Sequence, residues 1–278
     1  MGTKTILKSE PAPSVETLQR IEPNLARQVA RLFRTRSRFL ALGLAALRDW
    51  KIYVEFISPG YQQSNIARLQ HLDSLELDLK CKRVLEVGAG IGDHTLFYLY
   101  RGCQVLPTDA RPNLVRFISR RLGISAEQID VERRPQQIEN FGKFDILHCY
   151  GLLYHLSNPE GFLKSASRVA DTLILETCVS PGSGSSVATI VEDSAIPSQA
   201  VHGCGSRPTR RWIFDTLGQY FDHVYSTTTQ PRHDDFPKDW SVVPHELLTL
   251  RRAVFVASHN PLQSQKLTTN LPIKHEDW

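Results

Sequence analysis

Hydrophobic positions along the chain follow two different periods, and the change between them falls near residue 80. From Val15 to Trp50, the residues Leu18, Ile21, Leu25, Val29, Leu32 and Phe33 recur at steps of three and four. That spacing places side chains on one face of a helix. Pro23 suits a first helical turn, so a new helix is expected to start there. Pro59-Gly60 marks a turn, and a short helix is expected over 62–72. Beyond Lys82 the apolar runs shorten to strand length and end in turn residues. They predict strands at 83–87, 103–108, 128–132, 144–149 and 172–177, with helices at 94–101, 112–122, 135–139 and 159–168 between them. Strands alternating with helices at this spacing imply right-handed crossovers and a parallel sheet with helices on both faces.

After Thr177 the pattern breaks. Val179 to Ser186 is rich in Gly, Ser and Pro, and no helix or strand is expected before Thr209, so residues 180–207 read as a lid. Thr209 can cap a helix running to Tyr220, with Trp212, Ile213 and Leu217 on one face. Final strands are expected at 221–227 and 252–258. Between them, residues 228–241 are dense in polar, ionisable and aromatic side chains and read as a substrate loop. The expected organisation is a helical extension over 1–80 with a flexible tail at 1–14, a core domain over 81–260, and a loosely held tail over 261–278.

Composition narrows the partners. A chain of 278 residues is long enough for one large domain, or one domain with an extension. The formal net charge of +4 is too small to argue for nucleic acid. Arginines 27, 31, 34, 36 and 38 lie within the N-terminal helical pattern; they make either a solvated face or a basic surface for an anionic substrate such as tRNA. The cysteines at 81, 103, 149, 178 and 204 are odd in number and lack metal-ligand spacing, which reads as reduced thiols and a cytoplasmic location. The apolar stretch from Phe39 to Leu47 is too short to span a membrane, and Met1-Gly2 with Ile6 at the sixth place makes no myristoylation signal. The polar start of the chain carries no leader pattern, so no membrane partner is expected, and the oligomeric state stays open.

Candidate chemistry centres on Val84 to Thr95. Glycines at 88, 90 and 92 follow a predicted strand and let the backbone approach a ligand closely. Asp93 can cap the helix that follows, whose free N–H groups face the same ligand. A dinucleotide-binding fingerprint would place a third glycine where Asp93 stands, which disfavours a dehydrogenase. Asp109 ends the second predicted strand at about 20 residues from the glycine turn, the interval that sets a carboxylate on ribose hydroxyls; it can equally cap the helix at Pro112. No nucleophile elbow, phosphate loop or zinc pattern competes.

The run VLEVGAGIGDHT, the acid at Asp109 and the strand Phe144 to Tyr150 resemble the ordered motifs of class I S-adenosylmethionine-dependent methyltransferases, over roughly residues 82–180. The continuation Gly151 to Pro159 resembles a subgroup that includes tRNA wobble-uridine carboxymethyltransferases and natural-product and sugar methyltransferases. The resemblance implies an α/β, Rossmann-like sheet of seven mostly parallel strands, the last antiparallel, with a helical extension whose Tyr61 and Ser64 approach the cofactor. It implies S-adenosylmethionine as cofactor, held by Glu86, Gly88, Ala89, Gly90, Gly92, His94, Asp109, Ala110, Gln136, Tyr150 and Gly151. One departure stands out: after the third strand the family carries an acid beside the adenine, whereas Arg133 and Arg134 stand near that place here, leaving Gln136, Gln137 or main-chain groups to do the work. Methyl transfer to a hydroxyl needs a base; the candidates are His155, then His202, His233 and Asp234. His155, between apolar neighbours, can also be a hydrogen-bonded core residue. The expected activity is O-methylation of a small molecule or sugar; the alternatives are a tRNA-modifying transferase and a catalytically inactive fold acting as a binding module.

Overall fold

Strand β1 (Arg83–Val87) lies between two parallel neighbours, β2 (Gln104–Asp109) and β4 (Phe144–Tyr150). Strand β3 (Glu127–Gln128) extends the sheet beyond β2, and β5 (Ala170–Cys178) extends it beyond β4, both in parallel. The chain thus runs outward in one direction and then resumes on the other side of β1. That reversal opens a crevice at the carboxyl ends of β1 and β4, the place where such sheets bind ligands. The computed structural model describes residues 54–242 and 250–277, all within one unit that begins at Lys51. The N-terminal helical pattern and its arginines at 27, 31, 34, 36 and 38 lie outside the described residues.

Both faces of the central strands are buried, which is why they read as nearly continuous apolar runs. Val84 joins Ile146 and Ile174 on one face, covered by Leu72 of α1 (Pro59–Ser74) and by Phe97 and Tyr98 of α2 (Asp93–Leu99). Leu85 and Val87 join Leu147, Leu173 and Phe255 on the other, under α4 (Pro159–Val169) and α5 (Arg210–Tyr220). Fully buried side chains such as Phe162 of α4 each contribute roughly 1.5–3 kcal/mol. Helix starts follow local chemistry: Asn158 accepts from the Gly161 amide at 3.1 Å, and Thr209 from the Trp212 amide at 3.2 Å. Helix α3 (Pro112–Leu122) opens on a proline, and Gly123 at φ 70° stops it.

The structure departs from the expected pattern in four places. The sheet has eight strands rather than seven: β9 (Arg252–Ser258) runs antiparallel to β5, β8 (His223–Thr227) antiparallel to β9, and the short β10 (Leu267–Thr268) antiparallel to β8. The tail expected to be loose is therefore tied in, and His275 also accepts from Trp240 Nε1 at 2.9 Å. Residues 180–207 are not without strands: β6 (Val187–Val191) and β7 (Cys204–Pro208) form an antiparallel hairpin apart from the main sheet. Strand β3 stops at Gln128, because Asp130 Oδ1 accepts from the amides of Glu132 and Arg133, both at 3.2 Å, and curls the chain out of register. Finally, α1 shares its core with β1, so no boundary falls at residue 80. Among the described residues no helix is long and apolar enough to cross a membrane.

Candidate active site

The loop after β1 turns at Gly88 and Gly90, both at positive φ (76° and 58°). A Cβ at Gly88 would stand 3.1 Å from Leu152, and one at Gly90 would stand 3.1 Å from the Phe56 ring, so the main chain is the wall of the crevice here. The Gly90 amide donates to Asp109 Oδ2 at 3.1 Å, and the Arg111 amide donates to Oδ1 at 2.9 Å. Burial still lifts the Asp109 carboxyl to about 6, against those hydrogen bonds. Asp93 does not cap α2. Gly92, in the left-handed region, holds that position, and the Asp93 carboxylate instead accepts from Arg121 at 2.6 Å and Gln62 at 3.2 Å, pinning α1 and α3 beside the loop.

Beneath the loop lies a buried polar network. Thr95 Oγ1 donates to Glu86 at 2.5 Å, and burial lifts the Glu86 carboxyl to about 8, so it keeps its proton at neutral pH. His94 Nδ1 faces His148 Nε2 at 3.0 Å, and His148 Nδ1 meets the Tyr98 hydroxyl at 3.0 Å. Burial drives His94 down to about 3, so its ring is neutral. Glu86, His94 and His148 form the one trio among the described residues with ligand atoms within 4.8 Å of one another. The facing ring nitrogens are spent on each other, which makes this a self-bonded network rather than an open metal site. His94 Nε2 and the Tyr150 hydroxyl are buried without a partner among the described residues.

These elements enclose a cavity of about 500 Å³, within the usual range for ligand pockets. Glu86, Gly88, Ala89, Gly90, His94, Asp109, Ala110, Tyr150 and Gly151 line it, as do Tyr61 and Ser64 of α1. Two expected cofactor residues do not. Gly92 faces Leu122 and Ile118, and Gln136 is exposed on the short 3₁₀ helix Pro135–Phe141. Asp130 and Glu132 line the pocket while Arg133 and Arg134 face solvent, so the wall beyond β3 is acidic after all. The early end of β3 moved the register by which the arginines seemed to occupy that place.

Of the candidate bases, His155 and His233 line the cavity, whereas His202 and Asp234 do not. His202 Nε2 instead bonds Asp130 Oδ2 at 2.8 Å, tying the hairpin to the loop beyond β3. Asp234 is exposed, and its neighbour Asp235 enters the wall, 3.4 Å from Arg252 Nε. Arg68, Tyr154 and Arg252, which the sequence did not single out, also line the cavity, and the fully buried Glu176 lies behind them. Glu176 of β5 sits between Arg68 of α1 (3.4 Å) and Arg252 of β9 (3.0 Å), and Arg252 also donates to the Tyr154 hydroxyl at 3.2 Å. No short motif signals this triad, because its members come from three elements that meet only through sheet order. Pro197, Ser198, Gln199 and Val201 of the hairpin connection roof the cavity. Arg111 holds that roof, donating to the carbonyls of Ser194 (3.1 Å), Ile196 (3.0 Å) and Gln199 (3.0 Å).

A family model described as a methyltransferase domain matches residues 23–198, more than half of the chain. The chain belongs to the class I S-adenosylmethionine-dependent methyltransferases. Among curated members of the family, it is 32% identical over 110 residues to the ubiquinone biosynthesis O-methyltransferase of Xanthomonas oryzae pv. oryzae, covering 38% of this chain and 45% of that one. It is 32% identical over 200 residues to the tRNA U34 carboxymethyltransferase of Hahella chejuensis, covering 64% of this chain and 62% of that one. The chain therefore spans less than two thirds of these relatives' lengths. The N-terminal domain of EvdMO1 with SAH bound shares the fold, with a TM-score of 0.53 at 21% identity, over 74% of this chain and 84% of that one.

Proposed function

We propose that this chain moves a methyl group from S-adenosylmethionine to an oxygen of a small molecule or sugar. The observation that carries the reading is one cavity that holds both halves of the chemistry. The glycine turn, Asp109 and His155, which follows the Gly151 turn, all line it. The cavity fits the cofactor on its own features: a main-chain cradle where a Cβ would crowd Leu152 or Phe56, a carboxylate at the end of β2, and buried atoms of His94 and Tyr150 that have no partner among the described residues. Asp109 would hold the ribose hydroxyls. The Gly88 to Gly90 main chain would take the neighbouring polar groups, and Asp130 and Glu132 would stand nearest the adenine. S-adenosylmethionine supplies a methyl group activated on a sulfonium. The protein's part is to align the acceptor, exclude water under the 197–201 roof, and take the acceptor's proton.

His155 is the base in this reading. Burial lowers its proton affinity, outweighing the Glu192 carboxylate that raises it, so the ring is neutral and can accept a proton at pH 7. The curated relatives include O-methyltransferases, and the solved EvdMO1 domain was crystallised with D-fucose, which supports a hydroxyl acceptor. The tRNA-modifying relative supports a second reading, in which the N-terminal arginines meet RNA. Calorimetry with S-adenosylhomocysteine and single-turnover methyl transfer to a panel of hydroxyl acceptors test the proposal. His155→Gln should lose roughly 10²–10⁴-fold in turnover with cofactor affinity and melting temperature retained. Binding without transfer to any acceptor would favour an inactive binding module.

A further inference from the structure

We infer that Glu192 is the positioning residue of His155, and that the β6–β7 hairpin, by carrying Glu192, assembles the proton-accepting group of the site. The inference rests on the reading of His155 as base. The two residues are 37 positions apart, and a direct hydrogen bond joins Nδ1 of His155 to Oε2 of Glu192. The Glu192 side chain is only 3% exposed. A carboxylate that deep is costly unless each oxygen is bonded. Here Oε2 also accepts from the Ala200 amide at 2.7 Å, and Oε1 lies 3.4 Å from Arg207 Nη1. Those other partners belong to the hairpin itself, so the carboxylate travels with it as one preset unit.

His155 stands on the opposite partner, the turn Leu153–His155, with its ring against Tyr154 at 4.0 Å between centroids. Gly205 of β7 lets the two pieces meet. A Cβ there would fall 2.4 Å from the Tyr154 carbonyl oxygen, 2.9 Å from Glu192 Oε1 and 3.2 Å from His155 Cα. The hairpin and the turn are thus packed to a separation that only glycine permits.

A carboxylate on Nδ1 fixes the proton there and leaves the Nε2 lone pair free to act as base. In the transfer, the acceptor's O–H proton passes to Nε2. The new C–O bond forms as the C–S bond breaks, and that electron pair stays on sulfur. The result is a methyl ether, a neutral sulfide and an imidazolium beside Glu192. The charged and titratable groups around the ring act in opposite senses. Burial lowers its proton affinity first, Glu192 raises it, and Arg207 of β7 and Arg252 of β9 lower it. Glu192 itself is pushed up by burial but brought down further by His155, Ala200 and Arg207, so it is ionised when the proton arrives. Because the hairpin also roofs the cavity, the base is complete only when the acceptor is shielded from water.

The test uses the full chain labelled with [¹⁵N]histidine and bound to S-adenosylhomocysteine. His155→Gln assigns the His155 signals. The wild type should show the Nδ1–H tautomer. Glu192→Ala should move population to the Nε2–H form and shift the titration to lower pH, while Glu192→Gln, still able to accept from Nδ1–H, should keep the tautomer and shift only the titration. In parallel, single-turnover transfer from labelled S-adenosylmethionine to catechol, 4-hydroxybenzoate and D-fucose is followed from pH 6 to 9. Glu192→Ala should slow it on the order of 10²-fold, the lower end of what general-base catalysis supplies, with Glu192→Asp recovering part of the loss. Melting on the same samples excludes unfolding. An unchanged His155 tautomer and titration in Glu192→Ala overturns the inference, as does full turnover in Glu192→Ala beside a dead His155→Gln. Full turnover in a folded His155→Gln instead removes the base reading beneath it.

Discussion

Asp109 carries the most direct prediction about the cofactor. It lies at the carboxyl end of β2, 8% exposed, with both oxygens already accepting main-chain amides. Ribose hydroxyls would add donors to the ionised form, so binding favours the carboxylate over the acid. Its proton affinity in the free protein is raised to about 6. Cofactor affinity should therefore hold above that pH and fall by about tenfold per unit below it. Glu86 keeps its proton up to about 8 and does not blur that window. Asp109→Asn should weaken S-adenosylhomocysteine binding by roughly 1.5–3 kcal/mol at pH 7.5 and flatten the acid limb. Calorimetry from pH 5 to 8 measures both, and an acid limb that survives in Asp109→Asn would assign it to another group.

The hairpin and its connection are the element whose behaviour the tertiary contacts make specific. The roof is latched at Arg111, at Glu192 and at His202, and its strands expose Val191 at 88% while the connection faces the cavity. Arg111 is also the residue whose amide binds Asp109, so the cofactor site and the roof share one anchor. Arg111→Ala removes three donors from loop carbonyls. A loss of only about 1.4 kcal/mol of closure would speed S-adenosylhomocysteine release roughly tenfold. Stopped-flow release and limited proteolysis between residues 193 and 203 read this out, with faster cutting in the variant and protection of the wild type by ligand. Cutting that ignores both the variant and the ligand would make the hairpin a fixed wall.

Across the whole molecule, the C-terminal segment works as a structural tie. Beyond the β10–β8 pairing, the Glu276 amide donates to the Thr228 carbonyl at 2.8 Å, and Arg210 and Arg251 stack on Trp240, the donor to His275. Removing residues 261–278 should lower the melting temperature by roughly 5–10 °C. That follows from a few interactions near 1 kcal/mol each, at about 2–4 °C per kcal/mol for a domain of this size. An unchanged melting curve would show the tie to be dispensable. The acceptor class is also tested on the full chain. Replacing Arg31, Arg34 and Arg38 together by glutamine should leave transfer to a small hydroxyl acceptor unchanged. If the substrate is RNA, the same change should weaken binding and flatten its salt dependence.

What could be read from the residues alone was what local forces settle. Short β-branched runs between glycines and helical repeats fixed the five parallel strands. The turn at Gly88 to Gly92 and the acid at Asp109 follow directly from them. Even there, boundaries moved where a side chain competed with the ladder, as Asp130 does in ending β3 early and putting acids where arginines were expected. The run Val187 to Val191 is β-branched enough for a strand, but turn residues on both sides and a partner beyond a loop hid its pairing. The rest was decided by tertiary structure, because it depends on contacts between residues far apart in sequence. Arg68, Glu176 and Arg252 meet only because β9 inserts beside β5 and α1 folds over the crevice. Glu192 reaches His155 only because Gly205 lets a hairpin approach a turn to within contact distance.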